Sequence, residues 1–131
     1  MLRKRIFLVE DDPIVRGVMA DALIKNASLT LVGSAETESQ AKSWMDANDW
    51  DIAVVDLFLR NGNGAGILRY FRNRRADQHI VIVTNHAYQP VLQHCRLLGA
   101  DSVFLKADGV EAVVEYCASL IADYLPSPPL E

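Results

Sequence analysis

Cysteine is scarce in this chain. Only Cys95 and Cys117 occur, 22 positions apart and outside any CxxC spacing, which excludes a disulfide scaffold and a cysteine zinc centre. Each lies among apolar residues at helical spacing and reads as a buried free thiol. Long hydrophobic runs are also missing. Behind Met1-Leu2-Arg3-Lys4-Arg5 the apolar stretch extends only from Ile6 to Val9, too short for a signal peptide or a membrane span. A soluble protein in a reducing, cytoplasmic setting is the expectation. A basic surplus is lacking too: 13 Lys and Arg stand against 17 Asp and Glu, a net charge of −4, so this domain is not expected to bind nucleic acid. His79 and His94 have no second histidine or cysteine at metal spacing.

What is present is an alternation. Half of the 131 residues are hydrophobic, enough for one core in one domain. Ile6-Phe7-Leu8-Val9 is continuously apolar and ends in Glu10-Asp11-Asp12, the pattern of a strand buried on both faces. Asp12-Pro13 starts a helix with an N-cap carboxylate and proline in its first turn. Leu29 to Gly33 reads as a second strand, and Thr37-Glu38-Ser39-Gln40 as a capping box opening a helix with Ala41, Trp44 and Met45 inward. Ile52 to Val55 is a third strand, closed by Asp56; Gly62, Gly64 and Gly66 form a loose turn before a helix through Ile67, Leu68 and Phe71. Trp50 is expected at a strand edge. Ile80 to Val83 is a fourth strand ending at Thr84, and Pro90 to Leu98 a helix stopped by Gly99. Val103 to Leu105 is a fifth strand ending at Lys106. Asp108-Gly109-Val110-Glu111 is an acidic form of the capping box, and a last apolar stripe runs from Val110 to Ile121. Five strand–helix units predict an α/β fold with a parallel sheet covered on both faces. Residues 1–125 form this domain; Pro126 to Glu131 reads as a proline-rich tail or linker, with Leu130-Glu131 as a possible cloning scar. Arg69, Arg72, Arg74 and Arg75 read as a solvated helix end.

All strand C-termini of a parallel sheet lie on one edge, where ligands bind. Here that edge collects Glu10 and Asp11, Asp56, Thr84 and Lys106. If the first and third strands are neighbours, three carboxylates crowd together, and a cation must intervene. Mg²⁺ takes oxygen ligands and leaves positions open for water and phosphate. A carboxylate beside it can attack phosphorus and form an aspartyl phosphate, with Lys106 as a fixed cation and Thr84 as a hydrogen-bond donor.

These residues, with Gly64 eight positions after Asp56, Gly99-Ala100-Asp101 and Phe104-Leu105-Lys106, resemble the receiver domain of two-component response regulators over residues 5 to about 124. The resemblance implies a flavodoxin-like sandwich with strand order 2-1-3-4-5. It implies that Asp56 takes phosphate from a phosphohistidine on a sensor histidine kinase or phosphotransfer protein. Asp11 and Asp56 would bind Mg²⁺ directly, Glu10 through water, and the Phe58 carbonyl would complete the protein ligands. Lys106 would contact the phosphoryl group, and Thr84 would move toward it. Such a domain catalyses only its own phosphorylation and slow dephosphorylation, acting as a switch. An output domain beyond Pro126, DNA-binding among other kinds, and a homodimer through the last helices are compatible with it.

The chain departs from the family pattern at several positions. Arg60 and Ala107 stand where proline is usual, and Asn85 where a small residue is usual. A cis bond before a non-proline residue costs about 3 kcal/mol, so a trans Lys106–Ala107 bond is expected. Val103 replaces the switch aromatic, and Phe104, one place later, should face the other side of the sheet. Output is then expected to rely on the loop around His86 and Tyr88. The resemblance also implies that Phe58 and His86 lie beside the path of the hydrolytic water; read without it, Phe58 is a plain exposed loop aromatic and His86 a solvated loop histidine. Phe58 argues against a haloacid-dehalogenase-type phosphohydrolase, which needs a second Asp there as general acid. A flavin phosphate would be repelled by Glu10-Asp11-Asp12, and no Gly-Lys-Ser/Thr loop exists for a nucleotide. The rival reading is a phosphorylation-independent interaction module, motivated by Val103 and Ala107.

Overall fold

The computed structural model describes residues 3–86 and 88–120. The proline-rich tail, Ile121 and the expected boundary at residue 125 lie outside the described residues. Strands β1 (Lys4–Val9), β2 (Leu29–Ala35), β3 (Ile52–Asp56), β4 (His79–Thr84) and β5 (Ser102–Leu105) form one parallel sheet in the order β2-β1-β3-β4-β5. Helices α1 (Pro13–Ile24), α2 (Glu38–Ala47), α3 (Gly64–Tyr70), α4 (Gln89–Leu97) and α5 (Val110–Ser119) connect and follow the strands. The flavodoxin-like order implied by the receiver-domain resemblance is the one observed.

Strand alternation sorts the core into two layers. Phe7, Val9, Ala53, Val55, Ile80 and Ile82 face Ala41, Met45, Ile67, Leu68 and Cys95 of α2, α3 and α4. Ile6, Leu8, Ile52, Val54, Val81 and Val83 face Met19, Leu23, Val113 and Cys117 of α1 and α5. The central strands are thus apolar on both sides, which explains their unbroken hydrophobic runs. Trp44 lies flat on Phe7 with ring centres 4.2 Å apart, and a Cβ on Gly33 would come within 2.8 Å of its ring. Trp50 is not at an edge: it is fully buried, edge-on to Phe71, and its indole N–H donates to the Met45 carbonyl at 3.2 Å. Both cysteines are buried free thiols, and burial pushes the Cys117 thiol up to about 12.

The helix starts follow local chemistry with three corrections. Asp12 caps α1 as expected, its Oδ1 accepting from the N–H groups of Ile14 and Val15 at 2.8 and 3.2 Å. At α2 the Thr37 hydroxyl accepts from Gln40 N–H at 3.1 Å, but the Gln40 side chain reaches the N–H of Glu36 rather than that of Thr37. Of the three glycines expected in a loose turn, only Gly62 takes a left-handed conformation, with φ +89°. Gly64 and Gly66 belong to the first turn of α3, which Asn63 caps by accepting from Gly66 N–H at 2.9 Å. The acidic capping box at Asp108 does not form. Lys106–Asp108 is a 3₁₀ turn, Gly109 with φ +93° takes the cap position, and a glycine has no side chain to accept the orphan N–H groups. Arg74 also departs from expectation. Its guanidinium is buried among backbone carbonyls instead of solvated.

Candidate functional site

The sheet register decides which strand ends meet. Val9 pairs with Val55, so Glu10 and Asp56 follow side by side; Thr84 pairs with Leu105, so Lys106 emerges at the same edge two strands from Asp56, and its long side chain spans the end of β4 to reach both carboxylates. Glu10 is 1% and Asp56 7% exposed, and Asp11 is half-buried. One carboxylate oxygen from each of Glu10, Asp11 and Asp56 lies within 4.8 Å of the other two. Gly64 makes this edge accessible to α3: a Cβ there would stand 2.8 Å from the Asp56 carbonyl oxygen.

Each carboxylate is held by a donor of the chain itself. The Lys106 ammonium bridges Glu10 Oε1 at 2.7 Å and Asp56 Oδ2 at 3.1 Å. Glu10 Oε2 accepts from Asp12 N–H at 3.2 Å, and Asp56 Oδ1 from Phe58 N–H at 3.3 Å. Asp11 Oδ2 accepts from Arg60 N–H at 2.7 Å. Arg16 stands behind the cluster, donating to the Glu10 carbonyl at 2.9 Å and pairing with Glu36 at 3.3 Å.

The electrostatics follow. Burial raises the Glu10 carboxyl above its ordinary range, and the nearby Asp56 charge adds to this, against the pull of Lys106 and the Asp12 N–H. Burial works against the Lys106 ammonium, but its bonds to Glu10 and Asp56 more than offset that, and its proton is held more tightly than in water. Burial also opposes the Asp11 carboxylate, yet the Arg60 N–H and the surrounding hydrogen bonds leave it below the usual range.

The expected site residues do not all converge. Glu10, Asp11, Asp56 and Lys106 form one cluster. Thr84 is fully buried at the end of β4, and its hydroxyl accepts from His86 N–H at 3.2 Å. Among the described residues it makes no bond to the carboxylates. Phe58 is 50% exposed, and its ring packs edge-on to His86 with centres 4.7 Å apart. The two residues singled out separately in the sequence thus touch and link the β3–α3 loop to the loop after β4. Val103 packs with the core under α2, α3 and α4, whereas Phe104 faces the other layer and meets Tyr116 of α5 with ring centres 5.6 Å apart. The strand places an aromatic on the face opposite to Val103, as alternation requires. No peptide bond among the described residues is cis, so Lys106–Ala107 is trans. Sequence reasoning missed the Arg60 bond to Asp11, because the donor is a backbone N–H that every residue except proline carries.

Residues 6–117 match the family described as the response regulator receiver domain. The chain is 30% identical over 102 residues to the DNA-binding transcriptional activator DevR/DosR of Mycobacterium tuberculosis, covering 78% of this chain and 47% of that protein. It is 28% identical over 127 residues to the photosynthetic apparatus regulatory protein RegA of Cereibacter sphaeroides, covering 96% and 67%. The chain thus spans about half the length of DevR/DosR. The signal receiver domain of the response regulator NarL from Mycobacterium tuberculosis superposes with a TM-score of 0.83 at 21% identity, covering 91% of this chain and 98% of that one. The response regulator domain of Thermotoga maritima CheB does so with 0.81 at 18%, covering 93% and 99%. At these identities the likeness concerns the fold. No helix among the described residues is long and apolar enough to cross a membrane.

Proposed function

Given that the chain belongs to the receiver-domain family of two-component response regulators, we propose that Asp56 is its phosphoacceptor and that Mg²⁺ is its cofactor. The observation that carries this reading is the buried carboxylate triangle with one ammonium locked into it. Its donors are all oxygens, which suits a hard dication and not a thiophilic metal. Asp11, Asp56 and the Phe58 carbonyl would hold the ion, with Glu10 acting through water. Bound there, Mg²⁺ supplies neutralisation and alignment of phosphoryl oxygens.

The chain's own groups do the rest. An Asp56 carboxylate oxygen attacks phosphorus; the P–N bond of a phosphohistidine breaks, and its electron pair leaves with the imidazole. Lys106 keeps a positive charge where the phosphoryl oxygens arrive, held beside the buried Asp56 carboxylate. The Thr84 hydroxyl, released from His86 N–H, turns to donate to the phosphoryl group. The Phe58–His86 ring pair shields the acyl phosphate from hydrolytic water. Phe58→Asn is expected to shorten the life of the phosphorylated form several-fold, measured as phosphate release; an unchanged half-life would refute the shielding.

The donor is a sensor histidine kinase or phosphotransfer protein, in the cytoplasm. The domain is a switch and turns over no metabolite. Its signal goes to an output domain beyond Pro126 or to a separate partner, through the loop carrying His86 and Tyr88, since Val103 offers no aromatic to follow Thr84. The test is incubation with acetyl phosphate and MgCl₂ followed by intact-mass spectrometry. One adduct of about 80 Da is expected, absent from Asp56→Asn. A wild-type protein left unmodified by both acetyl phosphate and a phosphohistidine donor would replace this reading with a phosphorylation-independent interaction module.

A further inference from the structure

We propose that Arg60 is an internal competitor for the dication: its side chain is the counter-charge of Asp11 in the metal-free site, and the ion must displace it. The inference rests on the metal reading above. Arg60 sits in the β3–α3 loop, and its own N–H anchors it to Asp11 Oδ2 at 2.7 Å, while Nε of its guanidinium lies 3.9 Å from the same oxygen. The loop around it is pinned from the other side. Asn61 carbonyl accepts from Glu38 N–H at 3.1 Å, Asn63 N–H donates to Glu38 Oε1 at 3.0 Å, and Phe58 bridges to Asn63. The approach of Arg60 to the acidic cluster is therefore built into the backbone.

Charge balance explains why the side chain must leave. Three carboxylates facing Lys106 and Arg60 carry one net negative charge. Facing Lys106 and a dication they balance without Arg60, which becomes a surplus positive charge repelled by the ion. The Arg60 side chain is 78% exposed, so it can swing into solvent at little cost. The N–H bond need not break, because among the described residues the other carboxylate oxygen of Asp11 accepts no hydrogen bond from a chain donor. Asp11 thus passes from the guanidinium to the metal while its carboxylate stays oriented.

The test is calorimetric titration of the full chain with MgCl₂ in the absence of any phosphodonor. Arg60→Ala keeps the N–H and removes the charge; it should bind Mg²⁺ about fivefold more tightly than wild type. Arg60→Lys, which restores a cation, should fall within about twofold of wild type, as should Arg72→Ala, a charge lost from the exposed turn after α3. Melting curves confirm that the variants are folded. Binding by wild type with equal or weaker binding by Arg60→Ala overturns the proposal alone, as does equal tightening in Arg72→Ala. No binding by any variant overturns it together with the metal reading.

Discussion

Lys106→Met should lower the melting temperature in metal-free buffer by about 10 °C, and millimolar Mg²⁺ should restore most of the loss. The methionine keeps the length and apolar body of the lysine stem and removes only the ammonium. That ammonium lies between two almost fully buried carboxylates, Glu10 at 2.7 Å and Asp56 at 3.1 Å. Removing one partner of a buried ion pair leaves charge that neither water nor protein neutralises, at a cost of about 3 kcal/mol. Here two like charges are left facing each other, so the cost falls on the site and on the ends of β1 and β3. A dication supplies the missing charge, and the variant should therefore gain more from Mg²⁺ than wild type does. Calorimetric melting in EDTA and in MgCl₂, for both proteins, measures this. Equal Mg²⁺-induced shifts would mean that the ion does not enter between these carboxylates.

The second large effect lies away from the site. Arg74→Ala should destabilise the domain by about 4 kcal/mol in urea unfolding. The Arg74 side chain is only 9% exposed, and it binds four groups at once. Nε donates to the Gln78 carbonyl at 3.0 Å and Nη1 to that of Phe71 at 3.1 Å. Nη2 donates to the Gly99 carbonyl at 2.6 Å and to Asp101 Oδ2 at 2.7 Å. Phe71 and Gln78 open and close the α3–β4 connection, and Gly99 and Asp101 lie in the α4–β5 connection, so one fork braces its own loop and ties it to a second. Asp101 also accepts from Ile80 N–H at 2.7 Å, and losing its cation weakens the start of β4. Arg74→Lys should recover less than half of the loss, since one ammonium cannot span a planar fork of donors. Arg72→Ala, on the exposed surface, should stay within about 0.5 kcal/mol of wild type. A change below 1 kcal/mol in Arg74→Ala would show that water replaces the fork.

Arg74 also illustrates where sequence reasoning stops. Four arginines within seven positions at a helix end look alike, and local pattern assigns them all to solvent. Which one is buried depends on Gly99 and Asp101, 25 and 27 positions away. The same applies at Asp108. The letters of a capping box are present, but the chain must turn through Lys106–Asp108 to bring Lys106 to the carboxylates, and Gly109 then occupies the cap. Arg60 was visible only as a missing proline. That its N–H would find Asp11, 49 positions earlier, required the loop geometry.

Local periodicity, by contrast, was enough for the elements and their faces. Buried runs such as Ile6 to Val9 and Ile52 to Val55 identify central parallel strands, because only a strand covered on both sides tolerates apolar residues at every position. Period two alone separates Val103 from Phe104. The collection of Glu10, Asp11, Asp56 and Lys106 on one edge follows from their places at the ends of parallel strands. Their pairing does not. Lys106 reaches Glu10 across 96 positions and Asp56 across 50, and the strand order and register that join them arise only when the two core layers pack. Residue type carries chemistry and short-range geometry; the distances that turn acids and a lysine into one charge-balanced site come from the packing of distant segments.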